Sequence, residues 1–316
     1  MAAVALTGSA GMAHRKRIEG SVGLAEFRPN AKLRNKPKQS VTPFVFGGTI
    51  SPSEGIEFVP GLRFAFAGGL SFDASCRLAA DLGFAGYDLI GPQYWPTLRK
   101  YNLVPSLSHV GSAGTPFAGI GSKVHHSRFE ATTRSALQEC AANSVPNVIA
   151  LSGPRGSMTY DEGVDNCVAF FNRVKGTAED LGVTICLEHL NSKVDHPGYL
   201  LDHVAAALDV VKRANSPRVK LLFDIYHAQI QDGDIVRTIR ENIQWIGHIH
   251  ASGNPGREQI DDDTQELNYG FIARAIAELS FSSYIGHEYT PAKGRDPVAC
   301  LKQAFEIFDT SSGDGP

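Results

Sequence analysis

Four apolar runs of this chain each end in a group that binds cations. They are Glu188 in "ICLEHLN", Asp224 in "LLFDIYH", His250 in "IGHIHAS" and Glu288 in "IGHEYTP". A carboxylate at the end of an apolar run loses its hydration unless something replaces it. Three carboxylates gathered in a low dielectric repel one another, and a divalent cation relieves that repulsion. Three oxygen ligands and one imidazole suit Mn²⁺ or Mg²⁺, with Co²⁺ also compatible. A single acid at a strand end is ordinarily a helix cap, an ion-pair partner or a solvated loop residue. Four at the same point of four consecutive units call for a shared explanation, and a metal site supplies one.

The neighbouring residues divide by strand parity, since alternate side chains point to opposite faces. His189 and His287 fall on the opposite parity to Glu188 and Glu288 and should face helices as structural residues. His248 shares the parity of His250 one layer deeper. His227 lies just past Asp224, in what reads as a loop, where it could touch a substrate oxygen. His109, ending an earlier strand, is a candidate substrate contact or a polar rim residue. Trp95 could wall a pocket or simply pack.

The elements that must position these residues alternate short β-like runs with longer helical patterns. "RFAFAGGL", "GYDLIGP", "VPSLSHV", "VPNVIALSG", "VTICLEHLN", "VKLLFDIYHA", "WIGHIHASG" and "YIGHEYTP" read as strands, each followed by an amphipathic segment. Asp161 and Asp296 are placed as N-caps, Pro297 suits a first helical position, and Gly182 suits a helix stop. Eight such units imply an α/β fold, a single (β/α)8 TIM barrel over residues 59–310. An open doubly wound sheet is the alternative, but no G-x-G-x-x-G follows the first strand. Residues 1–58 are expected to be a flexible, disordered N-terminal extension and 311–316 a disordered tail.

Composition narrows the function classes. The chain has 316 residues, is 42% hydrophobic and 20% charged, and carries a formal net charge of −3. That balance predicts no nucleic-acid partner and no attraction to anionic membranes, and no apolar run approaches bilayer length. Five scattered cysteines without C-x-x-C pairing read as reduced, buried thiols. Residues 1–40 hold eight Lys/Arg against two acids. This is either a transit-type leader or an over-extended start, with Met12 or a later codon as the true beginning. The expected localisation is cytoplasmic, with organelle targeting or export left open by that leader.

"CLEHLNSKVDHPGYLL", "LLFDIYHAQIQDGDI", "IGHIHASGNPGREQ", "ELNYGFI" and "YIGHEYTPA" together resemble the hydroxypyruvate isomerases and their relatives. These belong to the xylose isomerase-like superfamily of sugar isomerases and epimerases. "LIGPQYWPTLRKYNL" and "ALSGPRGSMTYDEGVDNC" extend the resemblance over roughly residues 62–308. It implies that Glu188, Asp224, His250 and Glu288 bind the metal and that the two glutamates exchange protons with the substrate. It also implies that His227 and Arg257 contact the substrate. His250 departs from the hydroxypyruvate isomerase pattern, where glutamine is frequent, and matches ketose 3-epimerases, while "NPGR" and "ELNY" favour the former.

The implied chemistry is proton transfer at the carbon next to a carbonyl, through an enediolate. The expected substrate is a small hydroxy-keto acid or keto-sugar, most simply hydroxypyruvate converted to 2-hydroxy-3-oxopropanoate. Arg257 could hold its carboxylate bidentately; as a solvated loop residue it would do nothing of the kind. A ketose 3-epimerase or a 3-keto-glycoside lyase could use the same residues. An endonuclease IV-type phosphodiesterase ranks last, because it needs more histidines at the mouth and a basic face. Barrels of this kind often pair, so a homodimer or homotetramer is the expected assembly.

Overall fold

The computed structural model of the protein describes residues 37–309 apart from 52, 60, 61, 116 and 261–263. Residues 1–36 of the expected extension and the tail 311–316 lie outside the described residues. The strands are β1 (Lys38–Val41), β2 (Gly48–Ser51), β3 (Ile56–Val59), β4 (Leu62–Phe66), β5 (Gly86–Asp88), β6 (Val104–Thr115), β7 (Ala118–Gly119), β8 (Asn147–Leu151), β9 (Thr184–Glu188), β10 (Val219–Asp224), β11 (Ile246–Ala251) and β12 (Tyr284–His287). The helices are α1 (Phe72–Asp81), α2 (Trp95–Lys100), α3 (His126–Ala142), α4 (Tyr160–Leu181), α5 (Val204–Ala214), α6 (Ile225–Gln231), α7 (Ile235–Asn242), α8 (Tyr269–Glu278) and α9 (Pro297–Phe308).

Eight parallel strands run in the order β5-β1-β12-β11-β10-β9-β8-β6, and a further β5–β6 pairing closes them into a barrel. Strands β8 and β9 are buried along their whole length, as parallel strands covered by helices must be. Phe170 and Phe171 of α4, Phe223 of β10 and Phe308 of α9 fill the layer between strands and helices with no exposed surface. A buried side chain of this size contributes about 1.5–3 kcal/mol. All five cysteines are buried free thiols. Among the described residues no helix is long and apolar enough to cross a membrane.

The first barrel strand departs from the sequence reading. "RFAFA" belongs to β4, the middle strand of a separate antiparallel sheet ordered β2-β4-β3. The barrel strand is instead "KQSV", inside the stretch set apart as an extension. It pairs in parallel with β12 and β5. In β4, Phe64 and Phe66 are buried while Arg63 and Ala65, which alternate with them, are half-buried. That alternation marks a strand with one covered face, not a barrel strand covered on both. Four residues beginning with Lys and Gln carry too little apolar pattern to stand out.

Local signals set the helix ends. The N-cap of α4 is Thr159, whose hydroxyl accepts from the Glu162 amide at 3.2 Å, and not Asp161, which lies in the first turn. Asp296 caps α9, and Pro297 opens it. Gly182 ends α4 with φ 70°, a left-handed conformation that glycine adopts without a Cβ penalty. A chain begun at residue 59 would lack β1 and leave the edges of β5 and β12 unpaired. Urea unfolding followed by circular dichroism should show no cooperative transition for it; a transition equal to the full chain's would refute the role given to β1.

Candidate metal centre at the barrel mouth

The C-terminal ends of four adjacent strands deliver the quartet expected from the sequence. Asp224 and His250 are register partners on β10 and β11, and His250 pairs with Gly286 on β12. Glu188 is the last residue of β9. Glu288 follows β12, fixed by its amide donating to the Ala251 carbonyl at 3.0 Å. One ligand atom from each of Glu188, Asp224, His250 and Glu288 lies within 4.8 Å of all the others. Asp224 and His250 have no exposed surface, and Glu188 is 6% exposed.

Each side chain keeps an atom for a ligand. Asp224 caps α6: its Oδ1 accepts from the amides of Tyr226 at 2.8 Å and His227 at 3.4 Å. Its Oδ2 is buried without a hydrogen-bond partner, as is His250 Nδ1. His250 Nδ1 lies 3.1 Å from Glu288 and 3.7 Å from Glu188. Orphaned buried acceptors are costly, and here they converge on one point together with two further carboxylates. The donor set fits a divalent cation with oxygen and imidazole ligands.

Electrostatics divides the acids. Burial pushes Glu188 up to about 7, and Glu288 and Asp224 add repulsion. Burial also acts on Glu288, but Arg257 and His250 outweigh it and hold that carboxyl at about 2. Asp224 is raised, chiefly by burial. Arg257 approaches Glu288 Oε2 at 2.8 Å and Asp224 Oδ2 at 3.6 Å. Its guanidinium carbon stands 5.1 Å from the centre of the Tyr226 ring. Its backbone sits at φ 53°, an uncommon conformation for a residue with a Cβ and one that clusters at functional sites.

The other candidates separate. His227 is fully buried in the first turn of α6, not in a loop, with Nε2 3.6 Å from Asp224 Oδ2. His109 is not one of the quartet. Its ring bonds to the Leu89 backbone in the field of Glu57 from β3, and burial lowers it to about 4. His189 packs on Phe223. His287 bonds to Gln39 and packs on Phe84 and Phe308, facing the helices. Trp95 is 1% exposed, and its Nε1 donates to the Ile90 carbonyl, so it packs and does not wall a pocket.

Two residues passed unnoticed in the sequence. Asp88 ends β5 inside the barrel, with no exposed surface. It accepts from Ser40 at 3.0 Å, from Ser106, and from His248 Nε2 at 2.8 Å. His250 Nε2 lies 3.3 Å from the same oxygen. Asn191, three residues beyond Glu188, contacts His227 at 2.7 Å. Strand-end position was the available signal for Asp88, since "GYD" ends a barrel strand as "LLFD" does. Nothing in the spacing marked Asn191.

The family profile described as xylose isomerase-like TIM barrel matches residues 76–309, and the chain belongs to that family. A 2-oxo-tetronate isomerase of Pectobacterium atrosepticum is 28% identical over 231 residues, covering 68% of this chain and 85% of that protein. A Danio rerio protein provisionally named hydroxypyruvate isomerase is 33% identical over 127 residues, 40% of this chain. That match spans about half of the Danio rerio protein, 46% of its length. In fold, the chain is similar to the crystal structure of a family 2 AP endonuclease from Brucella melitensis. That pair has a TM-score of 0.68 and 24% identity, over 84% of this chain and 96% of the other.

Two expectations follow. A Cβ at Gly286 would lie 2.2 Å from Asp88 Oδ2 and 2.8 Å from His250 Cδ2. Gly286→Ala should therefore cost about 1–3 kcal/mol in urea unfolding; an unchanged midpoint would contradict this close packing. His109 is depressed in the folded state from an ordinary value near 6.5. Its contribution to stability is complete above that pH and is lost as pH falls through about 4, because the unfolded chain binds the extra proton. The urea midpoint of the protein should drop across that window, and His109→Gln should flatten the drop.

Proposed function

We propose that this protein is a metal-dependent isomerase of small α-hydroxy keto acids, with hydroxypyruvate and 2-hydroxy-3-oxopropanoate as the simplest pair. One observation carries the reading: Glu188 and Glu288 reach the same buried point from the two ends of the quartet. Two carboxyls that face one point from opposite sides are suited to acid and base work on one substrate. The names of the Pectobacterium and Danio relatives support an isomerase acting on a keto acid.

Glu188, Asp224, His250 and Glu288 would hold the cation, Mn²⁺ or Mg²⁺ by donor type. When bound it would supply Lewis-acid stabilisation of charge on a carbonyl oxygen. The chain's own groups do the rest. One glutamate carboxylate removes a proton from C3 of hydroxypyruvate. The C–H electron pair becomes the C2–C3 double bond, and the carbonyl π pair moves onto O2. Delivery of that proton to C2 by a glutamate, with the O3 proton passing to O2, leaves a hydroxyl at C2 and the aldehyde at C3. Arg257 brings a planar fork of donors to the mouth, a match for the substrate carboxylate. Burial of the quartet keeps bulk water from the intermediate.

Hydroxypyruvate incubated in D₂O with Mn²⁺- or Mg²⁺-loaded protein should yield product deuterated at C2, read by proton NMR after the ion is removed. Glu188→Gln and Glu288→Gln should each cut the rate at least about hundredfold, the scale expected for a lost general acid or base. EDTA should abolish turnover and the metal restore it. An unchanged substrate under these conditions would overturn the assignment. His250, the residue ketose 3-epimerases share, supports a second reading, which the same exchange assay on free ketoses would reveal.

A further inference from the structure

Asn191 has a complete set of hydrogen bonds, and the set permits one orientation of its amide. Oδ1 accepts from the amides of Val194 at 3.1 Å and Asp195 at 3.0 Å. Nδ2 therefore faces the other way and donates to Asp195 Oδ2 at 2.7 Å. Its remaining hydrogen points to His227 Nδ1, also at 2.7 Å. The Asn191 backbone amide approaches the same ring nitrogen at 3.3 Å. Reversing the amide would leave two backbone N–H groups unpaired and set an oxygen against the Asp195 carboxylate.

A ring nitrogen that receives two donors must offer its lone pair, so the proton of the neutral imidazole sits on the other nitrogen. That nitrogen, Nε2, is buried and has no hydrogen-bond partner among the described residues. It stands 3.6 Å from Asp224 Oδ2, too far for a hydrogen bond, and it opens onto the quartet. The ring is held between Tyr226 and His196, with centroids 5.3 and 5.5 Å away.

We infer that Asn191 is a positioning residue that fixes His227 as an Nε2–H donor aimed at a negatively charged oxygen of the substrate. The inference rests on the reading of the quartet as the catalytic centre. It assigns His227 a single role. With Nε2 protonated, the imidazole can neither ligate a metal there nor take a proton from carbon. It can donate to an oxygen that gains charge as the enediolate forms, at no cost in reorganisation. An unpaired buried N–H is itself unfavourable, so a ligand oxygen at that position completes the site.

Long-range proton–nitrogen correlation on ¹⁵N-labelled protein, metal-free and Mg²⁺-loaded, reads the tautomer directly, with His227→Gln identifying the signal. A pyridine-like Nδ1 and a pyrrole-like Nε2 at neutral pH are expected. A pyrrole-like Nδ1, or two protonated nitrogens, would overturn the inference without any variant having to fold. Asn191→Asp places an acceptor beside Nδ1 and should exchange the two shifts. It should also lower kcat about hundredfold with KM and Mg²⁺ affinity by calorimetry little changed. Shifts unaltered in that variant would remove Asn191 from the role. If no keto acid or ketose is turned over while the wild-type tautomer is as expected, the proposed function fails and the donor assignment stands.

Discussion

Like charges crowded out of water set the terms for the rest of this structure. Two unit charges 4 Å apart repel by about 4 kcal/mol at an effective dielectric near 20, and the quartet places three carboxyls inside a comparable radius. The chain answers with a cation, Arg257, against Glu288 and Asp224. It adds an imidazole, His250, between the two glutamates and an N-cap that binds one oxygen of Asp224 to backbone donors. Each answer is partial, because Glu188 is left with a proton affinity far above an ordinary carboxyl. A divalent ion at that point would relieve both the repulsion and the lost hydration.

Beneath the quartet lies a second polar layer that holds it in register. Asp88 gathers Ser40, Ser106, His248 and His250, drawing β1, β5, β6 and β11 together across the barrel interior. Burial acts to raise this carboxyl, but the imidazoles of His248 and His250 outweigh it and hold it well below the usual range. The absence of a side chain at Gly286 leaves the space that this layer fills. Barrel closure and the aim of His250 therefore depend on the same side chains.

Much of this was legible beforehand, and the exceptions have physical causes. The quartet could be read because four acids or histidines ended four strongly apolar runs at one phase of the repeat. The outward parity of His189 and His287 followed from strand geometry alone. β1 escaped because barrel pairing, not its own composition, makes "KQSV" a strand. The nearby "RFAFA" carried a better pattern but belongs to the antiparallel sheet. Asp161 looked like a cap, yet it is the Thr159 hydroxyl, two residues earlier, that accepts from the Glu162 amide in the first turn of α4. Asp88 and Asn191 escaped because their work lies in hydrogen bonds to histidines far along the chain, 160 and 36 residues away. Sequence spacing holds no trace of such partners.

The small sheet of β2, β3 and β4 follows β1 in the chain, yet among the described residues its strands pair only with one another and with no barrel strand. It is anchored by ring contacts, Phe44 to Phe64 and Phe46 to Phe66, and by the Tyr94 hydroxyl on the Glu57 amide. Glu57 brings its charge to the His109 side of the mouth. Such a module stands apart from β9, β10, β11 and β12, the strands that carry the quartet. Selection could thus vary one rim of the barrel mouth while the buried quartet stays fixed.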